Sequence, residues 1–288
     1  MTFSFKKIKK AIFPVAGLGT RFLPITKTIP KEMLPIGNKP IIQYTLEEAV
    51  KAGIEEFIFI TNAKKDTIVN FFDKTTEVAS NPLIPDNSSI ITVRQHSPLG
   101  LGDAILCARK IIGDEPFAVL LPDEIFIDEV KGSFLSCMIS SYYNIGNPKA
   151  NMLGVSYINK EETNNYGIIG TSTINNNSKI IKVNRMLEKP EPKNAPSNIA
   201  IVGRYILQPE IFKFLEKRNK GHNNEIQLTD SMSSLLDIQD FYGHLFKGNR
   251  FDAGSYEGFL SANIAFAIKE KSISLKTKDL IINILNKM

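Results

Sequence analysis

Short, compact apolar runs alternate with stretches of helical spacing through the first half of the chain. Lys10 to Val15 is one such run and ends in a glycine loop, and Glu56 to Thr61 reads as a buried strand. From Ile41 to Ala52 the apolar positions recur at helical spacing, and Gly53 stands where a helix C-cap is wanted. The same pattern predicts a helix over Asp66 to Phe72, a strand over Ile90 to Arg94 and a helix over Leu101 to Ile112. A further strand, Phe117 to Leu121, stops at Pro122-Asp123. Near-continuous apolar strands separated by helices predict a parallel sheet covered on both faces.

The second half is less regular. Met152 to Ile158, Ile168 to Thr173, Ile180 to Leu187 and Ile199 to Leu207 read as strands between turns rich in Asn, Gly and Pro. Pro209 to Arg218, Leu228 to Ile238, Ser255 to Lys271 and Lys278 to Lys287 read as helices. With no repeat and no long linker, a single α/β domain over residues 1–288 is expected. Its ligand site belongs at the carboxyl ends of the strands.

Composition supports a large core: 43% of the 288 residues are hydrophobic and 23% charged. No apolar run approaches the roughly 18 residues needed to cross a bilayer. Ala11 to Val15 is too short for a signal-peptide core, so a cytoplasmic protein without membrane contact is expected. The net charge of +5 invites a nucleic-acid reading. The basic residues are dispersed among acids, however, and the one tight cluster (Lys6, Lys7, Lys9, Lys10) lacks interleaved aromatics. No nucleic-acid partner is expected. Cys107 and Cys137 have no paired spacing, and Cys107 reads as a small buried hydrophobe. His96, His222 and His244 never fall at metal-ligand spacing and read as surface or loop residues.

The chemistry concentrates after the first strand, in Pro14-Val15-Ala16-Gly17-Leu18-Gly19-Thr20-Arg21. Glycines let backbone N–H groups approach phosphate oxygens. No Gly-Lys-Ser/Thr follows, so this is not a Walker loop, and Phe22 occupies the third glycine position of a dinucleotide fingerprint. Arg21 is joined by Lys31 in Pro30-Lys31-Glu32-Met33-Leu34-Pro35. A forked guanidinium and a compact ammonium beside a glycine loop suit a triphosphate, although either cation alone reads as surface charge.

Gly-Leu-Gly-Thr-Arg-Phe-Leu-Pro together with Pro-Lys-Glu-Met-Leu-Pro-Ile resembles the N-terminal signature of the sugar nucleotidyltransferases, in the form seen in the bacterial UTP–glucose-1-phosphate uridylyltransferases. The resemblance extends over roughly Lys9 to Ala267. It implies a Rossmann-like three-layer nucleotidyltransferase fold with a central mixed, mostly parallel sheet. Residues 9–130 would form a nucleotide-binding half, residues 150–255 a sugar-phosphate-binding half, and residues 256–288 C-terminal helices. It further implies a nucleotide site of Ala16, Gly17, Gly19, Thr20, Gln95 and Gly100, with Gln95 on the uracil edge. An amide offers both a donor and an acceptor to a pyrimidine. By the same resemblance, Asp123 and Asp252 hold a catalytic Mg²⁺, and Gly167, Glu188, Lys189 and Val202 form the sugar 1-phosphate pocket. Arg21, Lys31, Lys189 and Asp123 would be catalytic.

The reaction so implied joins UTP to glucose 1-phosphate, in a homo-oligomer (dimer or tetramer). Two alternatives stand beside it: a dTTP-using thymidylyltransferase, and a catalytically silent protein that binds nucleotide or sugar nucleotide. Three positions depart from the family pattern. Asn38 stands where aspartate is usual, Asp103 where histidine is common, and Ala253 where cysteine is frequent. Asp103 adjoins the base-recognition segment, so nucleotide selectivity is the property it touches.

Overall fold

A computed structural model describes residues 5–63, 65–72, 83–128, 132–171, 179–269 and 275–285. The apolar runs of the first half become four parallel strands. Lys10–Pro14 lies between Phe117–Leu120 and Glu56–Thr61, and Ser89–Arg94 pairs with the outer side of Glu56–Thr61. Because side chains alternate along a strand, Glu56–Thr61 feeds two cores. Ile58 and Ile60 join one apolar cluster, while Phe57 and Phe59 join the other.

Ile199–Leu207, buried at every position, docks antiparallel to Phe117–Leu120. Asn151–Tyr157, Phe241–Leu245 and Ile180–Lys182 then extend the sheet to its far edge. Along this eight-strand path four pairs are parallel and three antiparallel, so the sheet is mixed and mostly parallel. Gly167–Gly170 and Arg185–Glu188 form a branch that meets Ile199–Leu207 at Ala200. Helices Ile41–Lys51 and Phe134–Asn144 cover the face with Phe13, Phe57 and Phe59. Leu101–Cys107, Ile211–Leu215 and Leu228–Leu235 cover the other. Outside the main sheet, Glu124–Asp128 pairs with Gly248–Asp252. Helix Tyr256–Lys269 closes over this ribbon, with Ala262 and Phe266 packed among Phe22, Leu34, Ile36 and Ile125.

Several expectations need correction. The Leu101–Ile112 helix is interrupted at Ala108, giving Leu101–Cys107 and Arg109–Ile112. Ile180–Leu187 is two strands, because Ile180–Lys182 pairs with Phe241–Leu245 while Arg185–Glu188 turns to Gly167–Gly170. The expected Pro209–Arg218 and Leu228–Ile238 helices shorten to Ile211–Leu215 and Leu228–Leu235. The last residues expected of the Ile168–Thr173 strand and of both C-terminal helices lie outside the described residues. His244 is no surface histidine: it is buried in the Phe241–Leu245 strand with Nδ1 2.9 Å from Ser141 Oγ. Burial, helped by Lys179, pushes its pKa down to about 4. Cys107 packs half-buried against the core. Among the described residues, no helix is long and apolar enough to cross a membrane.

Candidate active site

Asp123 sits just beyond the Phe117–Leu120 strand, and a buried arginine fixes the turn that carries it. Arg204, 1% exposed, donates from Nη1 to the Leu121 carbonyl at 2.9 Å and from Nη2 to the Glu124 carbonyl at 2.8 Å. Glu48 balances its charge, accepting from Nη2 at 2.7 Å and from Nε at 3.1 Å. Thr45 Oγ1 donates to the Pro122 carbonyl at 3.2 Å. Removing either member of so buried a pair would leave an uncompensated charge beneath the turn. Opposite Asp123, the Ile199–Leu207 strand shifts register between Ile201 and Tyr205, with Gly203 at φ +58°. A Cβ there would lie 2.7 Å from Glu124 Cγ, so only glycine fits this kink.

Asp252, from the end of the two-stranded ribbon, meets Asp123 in space. A methyl group placed on Gly254 would stand 2.7 Å from Asp123 Oδ2 and 2.9 Å from Asp252 Oδ1, so both carboxylates face one point. The Ala253 N–H donates to the Asp123 carbonyl at 2.8 Å, and the Gly254 N–H to Asp252 Oδ1 at 2.9 Å. Lys31 Nζ lies 2.5 Å from Asp123 Oδ2, and Arg21 Nη1 lies 4.0 Å from Asp252 Oδ2. Behind Lys31, buried Glu32 accepts from buried Lys65 at 2.7 and 2.9 Å, which pins the Pro30–Pro35 segment against the site.

The electrostatics are asymmetric. Burial disfavours the charge on Lys31, yet the Asp123 and Glu32 carboxylates outweigh it and hold its pKa above the ordinary value. Burial likewise opposes ionisation of Asp123, but the Lys31 ammonium holds its pKa low. Asp252 is held high by burial and by the like charge of Asp123. Glu124, buried and beside both aspartates, is pushed up to about 7 by burial, with the Arg250 guanidinium in opposition. Among the described residues, no group of three or more His, Cys, Asp or Glu side chains forms a ready-made metal cage.

Two cavities meet at this point, and Leu101, Leu121 and Asp123 line both. The smaller, about 420 Å³, is walled by Ala16, Gly17, Gly19, Thr20, Lys31, Gln95 and Gly100. Gly19 adopts φ +65°, and a Cβ there would lie 3.1 Å from Thr26 and 3.2 Å from Lys31, so glycine keeps loop and cation together. Gln95 donates from Nε2 to Asp103 Oδ2 at 2.9 Å and to the Gly100 carbonyl at 3.2 Å. Its donor end is therefore already engaged, contrary to the expectation of a donor and an acceptor both open to a base.

The larger cavity, about 890 Å³, is lined by Arg21, Glu124, Tyr166, Gly167, Glu188, Lys189, Ile201, Gly203, Thr229, Arg250 and Asp252 among others. Burial pushes the Glu188 carboxyl up, opposed by a hydrogen bond from the Thr229 hydroxyl and by Lys189. Lys189 adopts φ +46° and its Nζ lies 3.8 Å from Glu188 Oε1.

The structure thus brings the expected cations, carboxylates and glycines to one cleft, with one exception. Val202 points away and is fully buried in the core, while its neighbours Ile201 and Gly203 line the cavity. Strand alternation is the reason. Sequence reasoning missed Glu124 and Arg250, which pair at 3.2 Å, with Arg250 Nη2 donating to Tyr166 Oη at 3.0 Å. Their only signal was adjacency to Asp123 and Asp252. It also gave Thr229 no part in the site. The Asn224–Asp230 motif has a structural task as well: the Gly102 N–H donates to the Ile226 carbonyl, and the Ile226 N–H to the Leu99 carbonyl, each at 2.8 Å. This clasp joins the two halves of the cleft.

A nucleotide-sized cleft with cations, a glycine loop and paired carboxylates defines a phosphate-transferring enzyme, and residues 10–268 match the sequence profile of the nucleotidyl transferases. The chain belongs to the nucleotidyl transferase family. It is 42% identical over 295 aligned positions to the UTP–glucose-1-phosphate uridylyltransferase of Bacillus subtilis, covering 98% of this chain and 99% of the relative. The enzyme of that name from Mycoplasma genitalium is 43% identical, over 94% of this chain and 95% of its own. Among solved structures, a UTP-bound UGPase from Acinetobacter baumannii superposes with a TM-score of 0.86 at 38% identity, covering 96% and 99% of the two chains. A UDP-glucose pyrophosphorylase complexed with UDP-glucose superposes at 0.84 and 41% identity, covering 91% and 100%.

Proposed function

We propose that this enzyme converts UTP and α-D-glucose 1-phosphate to UDP-glucose and pyrophosphate. The observation that carries the reading is the position of Asp123, in the walls of both compartments and facing one point with Asp252. Near full-length identity to uridylyltransferases supports the choice of substrates.

In this reading the base and triphosphate occupy the compartment of Gly17, Gly19, Gln95 and Gly100, and the sugar phosphate occupies that of Gly167, Glu188 and Lys189. An oxygen of glucose 1-phosphate attacks the α-phosphorus of UTP. The bond from that phosphorus to the bridging oxygen breaks, and its electron pair leaves on pyrophosphate. The attacking phosphate is already an anion near neutral pH, so alignment and charge stabilisation supply the catalysis. Arg21 offsets charge on the departing pyrophosphate, Lys31 on the nucleotide phosphates and Lys189 on the incoming one. Glu188 accepts from glucose hydroxyls.

Asp123 and Asp252 fit a hard divalent cation, which takes one or two carboxylates plus substrate phosphates. Asp252, held high by burial and by Asp123, gains from a further cation at the point both face. Mg²⁺ bound there would supply positive charge between the two phosphate anions. We further place the enzyme in the cytoplasm, as a homo-oligomer acting on small molecules. Supporting the last, Tyr256, Leu260, Ile264 and Ile268 lie exposed at four-residue spacing on one helix.

The test is a pyrophosphate-release screen of UTP, dTTP, CTP, ATP and GTP against several hexose 1-phosphates, with and without Mg²⁺. Fastest release from UTP with glucose 1-phosphate, matched by UDP-glucose, is expected. A stronger preference for another nucleotide, or pyrophosphate without a sugar nucleotide, overturns the reading.

A further inference from the structure

We propose that Asp103 sets pyrimidine selectivity by fixing which end of the Gln95 amide faces the nucleotide base. This inference rests on the reading of the smaller cavity as the base compartment.

The two ends of a glutamine amide differ in kind: Nε2 carries two donor hydrogens, and Oε1 only accepts. In this protein both hydrogens are engaged, by Asp103 Oδ2 at 2.9 Å and by the Gly100 carbonyl at 3.2 Å. Neither partner can donate as long as Asp103 is ionised. Turning the amide over would therefore set Oε1 against two acceptors and leave Nε2 without either bond. Three features keep Asp103 in the accepting form. Its Oδ1 lies 3.5 Å from Arg218 Nη1. It stands in the first turn of helix Leu101–Cys107, where free N–H groups favour an anion. It is also buried, with its oxygens shared between these partners.

The consequence falls on Oε1. Gln95 has no other side-chain hydrogen bond among the described residues, and none of their buried side-chain polar atoms lacks a partner, so Oε1 opens on the cavity that Gln95 lines. A fixed acceptor there suits uracil and thymine, whose N3 carries a hydrogen. It opposes cytosine, whose N3 is itself an acceptor. Asp103 is thus a positioning residue: it acts on the base through Gln95.

The experiment measures kcat/KM for UTP and CTP, with glucose 1-phosphate fixed, in wild type, Asp103→Asn and Asp103→Glu. An asparagine can offer its own NH₂ to Oε1, which permits the reversed amide. The UTP-over-CTP ratio should fall about tenfold or more in Asp103→Asn, the worth of one mismatched hydrogen bond, and be largely retained in Asp103→Glu. A merely structural role would lower both nucleotides together and leave the ratio alone. A ratio within about threefold of wild type in a folded Asp103→Asn protein overturns the inference. Should Asp103→Asn fail to fold, Gln95→Leu removes the amide itself, and a wild-type ratio there overturns it equally. Absence of UTP turnover in the wild type would sink the parent reading and this one together, whereas UTP turnover with an unmoved ratio sinks this one alone.

Discussion

Gly254→Ala places one methyl group where both site carboxylates converge. The new carbon would lie 2.7 Å from Asp123 Oδ2 and 2.9 Å from Asp252 Oδ1, whereas ordinary contact begins at 3.4 Å. The oxygens must therefore retreat by at least 3.4 − 2.7 = 0.7 Å and 3.4 − 2.9 = 0.5 Å. Asp123 has little freedom to do so, because Lys31 Nζ already sits 2.5 Å from the same oxygen. Gly254 lacks a positive φ, so the backbone tolerates alanine and the clash is the perturbation. Overpacking of this kind costs about 1–3 kcal/mol of stability, which a chain of this size shows as a few degrees in Tm. Displacing reactive groups by something near an ångström costs about 10²-fold in rate, so the loss of activity should dominate. Pyrophosphate release and thermal melting, measured on the same preparation, separate the two. The expected result is kcat down about 10²-fold, KM for UTP little changed and a cooperative melt. A kcat within about threefold of wild type would refute the convergence.

Glu124 gives a pH signature. Its carboxyl holds a proton more tightly folded, at about 7, than at its ordinary 4.5, so its contribution to stability is full below 4.5 and lost as pH climbs through 7. Glu124→Gln should flatten the fall of Tm between about pH 5 and 8, and an unchanged slope contradicts the assignment. In the larger cavity, a Cβ on Gly167 would lie 2.8 Å from Thr229 Oγ1 and 3.3 Å from Glu188 Oε2. Gly167→Ala should raise KM for glucose 1-phosphate about tenfold or more while sparing that for UTP, and an equal rise in both would contradict the two-compartment account. Thymine adds one methyl to uracil, worth about 1–3 kcal/mol in a pocket, so dTTP should remain a measurable substrate. A complete lack of dTTP turnover would count against a pocket read through Gln95 alone.

How far the sequence could be read followed how each element is buried. Glu56–Thr61 was legible to the residue because a parallel strand buried on both faces is apolar throughout. Gly248–Asp252 was not, because Gly-Asn-Arg-Phe-Asp pairs only with one strand outside the main sheet and has no alternating pattern. Only its Phe-Asp-Ala-Gly end stood out. Helix Phe134–Asn144 was overlooked although its signals were present: Ser133 caps it through Ser136, and Phe134, Leu135, Met138 and Tyr142 form its buried face. Phe241–Leu245 carries Gly243 and His244, residues that argue against a central strand until packing decides. At the site, residue type sufficed for Asp123, Lys31 and the glycines. Val202 went astray because a motif gives position but not facing. The Arg204–Glu48 brace and the Glu124–Arg250 pair join residues far apart in the chain, and no local spacing announces them.

The central claim is that Asp123 and Asp252 serve one catalytic point. Its most direct measurement is kcat for Asp123→Asn, Asp252→Asn and the double variant, at saturating UTP, glucose 1-phosphate and Mg²⁺. Groups that act as a unit lose their function together, so the double variant should be hardly slower than the worse single one. If the two losses simply multiply, the carboxylates work apart and the account is wrong.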